Sequence, residues 1–156
     1  MVEQGRELRL ENVLSLRKKM DRSEINVEMM KIGKWVNDNG LKKAGPIVTA
    51  TFGVENVDNQ QILDMEILVP IDRAAESSGE YRFKEVFHLV NAIYAQHKGN
   101  PALLQNTYNK MVAYLQDNRL QQITAAYNVN VSELQPGQSL DEVIVDVYIG
   151  VNPSIL

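Results

Sequence analysis

Two helical stripes recur at a constant distance along the chain, and this recurrence constrains the fold more than any other feature. Ile25, Met29, Ile32 and Val36 fall at i, i+4, i+7 and i+11 between Ser23 and Asn37, and Leu104, Tyr108, Met111 and Leu115 do the same between Pro101 and Gln116. That spacing lines each set along one face of an α-helix. Each member of the first set lies 79 residues before its counterpart in the second. The same offset matches Lys31 with Lys110, Trp35 with Tyr114, Asp38 with Asp117, Asn39 with Asn118 and Leu41 with Leu120. A shared period of about half the 156 residues predicts an internal repeat. Ser23 is the expected cap of the first helix, and Asn100 that of the second, with Pro101 at its first helical position.

Segments with strand character flank both helices. In the first half they are the imperfectly alternating Leu8 to Leu16, then Ile47 to Val54 and Ile62 to Ile71, with turns at Gly45-Pro46 and Asn56 to Gln61. In the second half Tyr81 to Phe87 and Ala92 to His97 precede the helix as two strands, one more than in the first half. Ile123 to Val131 and Val143 to Val151 follow it, separated by the turn-rich Ser132 to Ser139. The expected fold class is α+β, a single domain over 1–156. Two pseudo-symmetric strand-helix-hairpin repeats, about 1–75 and about 80–156, are joined by the polar stretch 74–80 (AAESSGE). Two such units pair into a continuous antiparallel sheet with two long helices on one face and a cleft between the repeats.

Composition removes several function classes. Sixteen Lys and Arg against 20 Asp and Glu give a net charge of −4, which argues against direct nucleic-acid binding. Only Arg17, Lys18, Lys19 and Arg22 cluster, and they read as a solvated strand end. No apolar run approaches the ~18 residues that cross a bilayer, and the first residues lack the pattern of a signal peptide. The expectation is a soluble bacterial-type cytoplasmic protein without a membrane partner. The absence of cysteine excludes disulfides, thiol catalysis and thiolate metal sites. His88 and His97 are the only histidines, and no H-E-x-x-H, G-x-S-x-G or phosphate-cradling glycine loop occurs, so no metal and no cofactor is expected. His97, on a loop ahead of the second helix, remains a candidate base.

Asp146 is the most informative polar residue. In Val143 to Ile149 five of its six neighbours are aliphatic, so a central strand draws its carboxylate away from water. An unpaired buried carboxylate costs several kcal/mol unless a cation or hydrogen bonds compensate. Glu66 sits 80 residues earlier in the matching strand, and strand parity puts Asp64, Glu66 and Leu68 on one face. Aromatic residues make up 6% of the chain, so their placement carries information. Tyr148 shares a face with Asp146, Tyr94 leads into His97-Lys98-Gly99, and Phe52 and Tyr127 lie in corresponding hairpin strands. Trp35 lies one step off its helical stripe. Together these rings offer stacking surfaces for a planar or cationic molecule; singly, each also suits an ordinary core.

The order and spacing of several phrases resemble the GyrI-like effector-binding superfamily, the ligand-binding domain type of multidrug regulators. The phrases are Trp35 to Leu41 (WVNDNGL) leading into Gly45-Pro46, Met65 to Ile71 (MEILVPI), His97-Lys98-Gly99, and Val145 to Val151 (VDVYIGV). The resemblance covers nearly the whole chain. It implies a cleft between the repeats that binds flat, hydrophobic, often cationic molecules between aromatic walls, with an acidic residue on the final strand. The matching position is Asp146, where the family usually carries Glu. Gly150 stands where proline is usual, and Asn100-Pro101 replaces the aromatic that commonly follows the His-x-Gly phrase.

Three function classes follow. The first is a stand-alone binding protein for a small lipophilic, cationic aromatic molecule, since the chain opens directly on the effector-type domain. Its candidate ligand-binding residues are Asp146, Glu66, Tyr148, Tyr94, Phe52, Tyr127 and Trp35. The second is a small-molecule hydrolase, which some GyrI-like proteins resemble, with Glu66, Asp146 and Tyr148 as the acting groups. The third is a protein-interaction module, since the resemblance extends to proteins that inhibit DNA gyrase.

Overall fold

The computed structural model describes residues 1–132 and 137–155. Among them the chain runs β1 (Glu3–Asp21), α1 (Arg22–Asp38), β2 (Val48–Val57), β3 (Gln60–Pro70), β4 (Arg82–Lys98), α2 (Leu104–Asp117), β5 (Gln122–Asn130) and β6 (Ile144–Val151). Short 3-10 turns occupy Pro101–Leu103 and Leu140–Glu142. The class is α+β with antiparallel strands, as the sequence predicts. Part of the expected 132–139 turn, residues 133–136, lies outside the described residues.

The chain forms two compact units, one from residues 10–87 and the other from residues 1–9 together with 88–156. In the 10–87 unit β3 pairs with β1 on one side and β2 on the other. Strand parity sends Leu14, Leu16, Met20, Leu63, Met65, Ile67 and Val69 to one face, where Ile32 and Val36 of α1 cover them. Ile25 and Met29 pack against the same cluster, so all four members of the first stripe face the core. In the other unit β6 lies between β4 and β5. Ile93, Ala95, Val145, Val147 and Ile149 form a core with Met111 and Leu115 of α2, and Leu104 and Tyr108 pack against it.

Four details depart from the sequence reading. The helix α1 starts at Arg22, and its cap is Asp21 rather than Ser23. Asp21 has the extended backbone of a capping residue, and its carboxylate accepts the Glu24 N–H at 3.0 Å. Residues 81–87 and 92–97 are not two strands: 82–98 is one continuous strand, because no glycine or proline interrupts His88 to Asn91. The first strand runs from Glu3 rather than from Leu8, and it passes through Asn12, whose φ of 52° places it in the left-handed region. The basic cluster lies at a largely exposed strand end, as the sequence predicts, but its members are paired there. Arg17 pairs with Asp64 at 3.2 Å, Lys19 with Glu55 at 3.0 Å and Lys18 with Glu28 at 3.0 Å; Arg22 donates to Gln61 at 3.2 Å.

The Lys18 pair differs from the others because Glu28 is buried on α1. Burial alone pushes the Glu28 carboxyl up, but the Lys18 hydrogen bond and the charges of Lys18 and Lys31 outweigh it and hold the group below its usual range. A second local device joins β5 to β6. The register shifts between Gln122 and Ala126, and the Thr124 hydroxyl accepts the Gly150 N–H at 2.8 Å while donating to the Ala125 carbonyl. A Cβ at residue 150 would lie 2.7 Å from the Thr124 methyl, so glycine is required there by contact.

Two stability predictions follow. Lys18→Met leaves Glu28 without its main partner and should destabilise by about 1.5–3 kcal/mol. Because the folded-state pKa of Glu28 is depressed, that loss should be full above about pH 4.5 and shrink as the pH falls through the folded value; a loss unchanged at low pH contradicts it. Gly33 lies in the middle of α1 with open space where a Cβ would be. Gly33→Ala should therefore stabilise the protein by about 0.8–1 kcal/mol in thermal or denaturant unfolding.

Candidate functional site

The three aliphatic residues Val145, Val147 and Ile149 must face α2, so alternation sends Asp146 and Tyr148 to the opposite face of β6. Pairing then decides their neighbours. Directly opposed residues in an antiparallel ladder share a face. Tyr148 is opposed by Tyr94 on β4 and by Tyr127 on β5, which sets three tyrosines in a row across three strands. One step along, Asp146 is opposed by Gln96 and Val129. The sequence-predicted residues Asp146, Tyr148, Tyr94 and Tyr127 therefore come together on one face of a single unit.

The Asp146 carboxylate is half-buried and accepts two hydrogen bonds at one oxygen, from the Tyr94 phenol at 2.9 Å and the Gln96 amide at 3.1 Å. Both donors are neutral. The Tyr94 and Tyr148 rings lie 5.1 Å apart between centroids, tilted by 48°. The Arg6 guanidinium sits over the Tyr94 ring at 4.1 Å and pairs with Glu3. Burial, and then the Asp146 carboxylate, push the Tyr94 phenol up to about 12. Burial and Asp146 also raise the Tyr148 phenol. Both groups are thus neutral hydrogen-bond donors across the whole physiological range.

Glu66 sits in a different environment. It is buried on the face of β3 away from α1, accepts the Ser15 hydroxyl at 2.7 Å and pairs with the Lys84 ammonium at 2.8 Å. Its charge is compensated within its own unit. Asp64 shares that face, as parity predicts, and holds Arg17, whose guanidinium lies 4.0 Å from the Phe52 ring centre. Phe52 lies at a register shift between Thr51 and Gly53, and the residue that opposes Leu68 on β2 is Val48.

Trp35 does not join either carboxylate face. It packs against the core under α1, with its ring edge-on to Tyr81 at 5.6 Å and 69°. His97 is not a loop base. It is buried at the end of β4, with Nδ1 at 2.8 Å from the Thr107 hydroxyl and Nε2 at 3.0 Å from the Asn100 carbonyl oxygen, and it secures the turn into α2. Gln96, Arg6, Ser15 and Lys84 were not singled out in the sequence. Gln96 had a signal, since it shares strand parity with Tyr94. Arg6 had none, because β1 reads as a strand only from Leu8. No group of three or more His, Cys, Asp or Glu side chains suited to a metal occurs among the described residues.

No protein-family model and no curated protein sequence matches the chain. Solved structures do. EcmrR in its DNA-bound transcription complex superposes with a TM-score of 0.79 at 17% identity, over 97% of this chain and 57% of EcmrR. The chain thus spans little more than half of that protein. The crystal structure of the EcmrR C-terminal domain gives 0.74 at 17% identity, over 97% of this chain and 98% of the domain. A hydrolase from Listeria innocua gives 0.61 at 11% identity, over 96% and 93% of the two chains. SAV2435 bound to tetraphenylphosphonium gives 0.52 at 10% identity, over 98% and 93%. At these identities the fold is what is shared, and it agrees with the GyrI-like resemblance carried by the sequence.

The tyrosine row carries a spectroscopic prediction. In a tyrosine absorbance titration one phenol should ionise near pH 12, and Asp146→Asn should move that step toward 10 without fully restoring it, because burial remains. The sign follows from charge, since a phenolate beside a carboxylate is disfavoured. An unchanged step in the variant means the carboxylate does not act on Tyr94.

Proposed function

We propose that this chain binds small lipophilic cations, with Asp146 as the charge-selecting group and Tyr94, Tyr148 and Tyr127 as the stacking surface. The observation that carries the reading is the state of Asp146. Its carboxylate is half-buried, oriented by two neutral donors, and joined to no cationic side chain among the described residues. Such a group attracts a cation that brings its own apolar surface. Arg6 supports the same chemistry, because its planar cation already lies on the Tyr94 face that a ligand would use. The neighbour SAV2435, with bound tetraphenylphosphonium, lends support at the level of fold.

Glu66 takes no part in charge selection on this reading, since Lys84 already neutralises it. The same fact weakens the hydrolase alternative. A hydrolytic acid and base need groups free to gain and lose a proton near neutral pH, whereas burial and Asp146 raise the Tyr148 phenol and Glu66 is held in an ion pair. The two units are read as repeats of one plan. Adding 79 to residues of β1 and β2, and 80 to those of β3, converts the opposed pairs Arg17–Glu66, Ser15–Leu68 and Val48–Leu68 into Gln96–Asp146, Tyr94–Tyr148 and Tyr127–Tyr148. On this plan the tyrosine row replaces Ser15, Leu68 and Val48, and the acidic position recurs in both units.

The test is calorimetry with tetraphenylphosphonium and its neutral relative triphenylphosphine oxide. Asp146→Asn should weaken the cation by about 1–3 kcal/mol and leave the neutral compound nearly unchanged. Arg6→Ala should tighten the cation by removing a like charge from the ring face. Equal binding of cation and neutral compound, or equal weakening of both by Asp146→Asn, defeats the assignment.

A further inference from the structure

The C-terminal end of α1 carries a reactive pair of residues that plays no part in the tyrosine row. Helices commonly end on a residue of left-handed backbone, which closes two hydrogen bonds onto the last turn. In α1 that residue is Gly40, with φ of 69°. Its N–H donates to the Asn37 carbonyl at 3.1 Å, and the Leu41 N–H donates to that of Val36 at 2.9 Å. Leu41 and Val36 both belong to the core of the 10–87 unit, so packing holds the same turn. The residue before the glycine is Asn39, whose side-chain amide donates to the Trp35 carbonyl at 2.7 Å. The cap therefore favours glycine at 40 and uses a donor at 39, and the result is Asn-Gly, a pair that occurs once in the sequence.

An asparagine followed by glycine is open to attack by the next backbone nitrogen on its own side-chain amide, because no Cβ shields that nitrogen. The Gly40 nitrogen bonds to Asn39 Cγ, the Cγ–Nδ2 bond breaks, and ammonia leaves with the proton of the Gly40 N–H. The cyclic imide then takes up one water. Opening at Cγ gives aspartate, and opening at the backbone carbonyl gives isoaspartate, in which the chain runs through the former side chain. Ring closure needs Asn39 Cβ and the Gly40 nitrogen nearly eclipsed about the Cα–C bond. A ψ of 11° at Asn39 holds them well apart, and both reacting amides are tied into the cap.

The end of α2 supplies an internal control. There the Asn118 amide donates to the Tyr114 carbonyl at 2.9 Å, the Arg119 N–H to that of Gln116 at 3.2 Å and the Leu120 N–H to that of Leu115 at 2.9 Å. Asn118 has φ −100° and ψ 5°, against −94° and 11° at Asn39. The cap is the same, but Arg119 occupies the left-handed position at φ 53°, where a side chain is strained. Its Cβ shields the nitrogen that would attack Asn118.

We propose that Asn39 is the deamidation site of this chain, and that it reacts through openings of the α1 end rather than from the intact cap. The product loses the donor to Trp35 and sets a carboxylate at the negative end of the helix dipole. Isoaspartate also lengthens the backbone inside the turn. The modified helix therefore frays over residues 38–41, where Leu41 joins the core.

Peptide mapping by mass spectrometry after incubation in mildly alkaline buffer tests this. Conversion should concentrate at Asn39 and run at least about tenfold faster when denaturant unfolds the chain, because opening then costs nothing. Gly40→Ala should bring Asn39 down to the rate of Asn118 in the unfolded chain, a readout that does not require the variant to fold. Arg119→Gly should make Asn118 reactive in the unfolded chain while raising the melting temperature of the native one. In the deamidated fraction the Leu41 amide should exchange with solvent faster than in the intact protein. The proposal is overturned if Asn39 reacts no faster than Asn118 in the unfolded chain, if its native and unfolded rates are equal, or if deamidation leaves Leu41 exchange unchanged.

Discussion

The burial of Val145, Val147 and Ile149 under α2 is the constraint on which the candidate site depends. A strand has two faces, and once the aliphatic residues claim one, Asp146 and Tyr148 have no choice but the other. Pairing then adds Tyr94, Gln96 and Tyr127 with no further requirement. The carboxylate is therefore positioned by the rigid core on the far side of its own strand, and not by a loop. Such placement costs little additional ordering and suits a group that must keep its direction when a ligand arrives.

The two acidic positions use different means to remain charged away from water. Glu66 has an internal cation and a hydroxyl, which settles its electrostatics inside its own unit. Asp146 has only neutral dipoles, which orient a charge without cancelling it. One acidic position is thus part of a structural ion pair, and the other is joined to no cationic side chain among the described residues. The neutral phenols around Asp146 follow from the same arrangement, because the carboxylate and burial both oppose their ionisation.

Much of this was legible in the sequence, and the residues say why. Helical stripes and strand alternation are local patterns, so the four core positions of α1 and the shared face of Asp146 and Tyr148 could be read directly. Cross-strand partners depend on register, which no local pattern reports; hence Ser15, Lys84 and Gln96 were missed although their own strands were recognised. Trp35 was placed near a ligand because it lies off its stripe, yet a ring that size reaches sideways to Tyr81. Ser23 looked like the cap, but Asp21 already had the extended backbone that a cap needs. His97 looked like chemistry because histidine often is, and its two ring nitrogens are both engaged in holding a turn.

The contact between Thr124 and Gly150 has a consequence for how the β5–β6 ladder finds its alignment. A slip of one residue turns every side chain to the wrong face and is rejected by burial. A slip of two residues keeps every face assignment, so burial cannot reject it, although Tyr127 would no longer oppose Tyr148. The hydroxyl of Thr124 closes on the backbone of residue 150 at a distance that admits no Cβ. Shifted by two, it would meet Tyr148 or Asn152, each of which has one. The pair therefore works as a key that distinguishes alignments of equal hydrophobic merit, and the tyrosine row inherits its geometry from that choice.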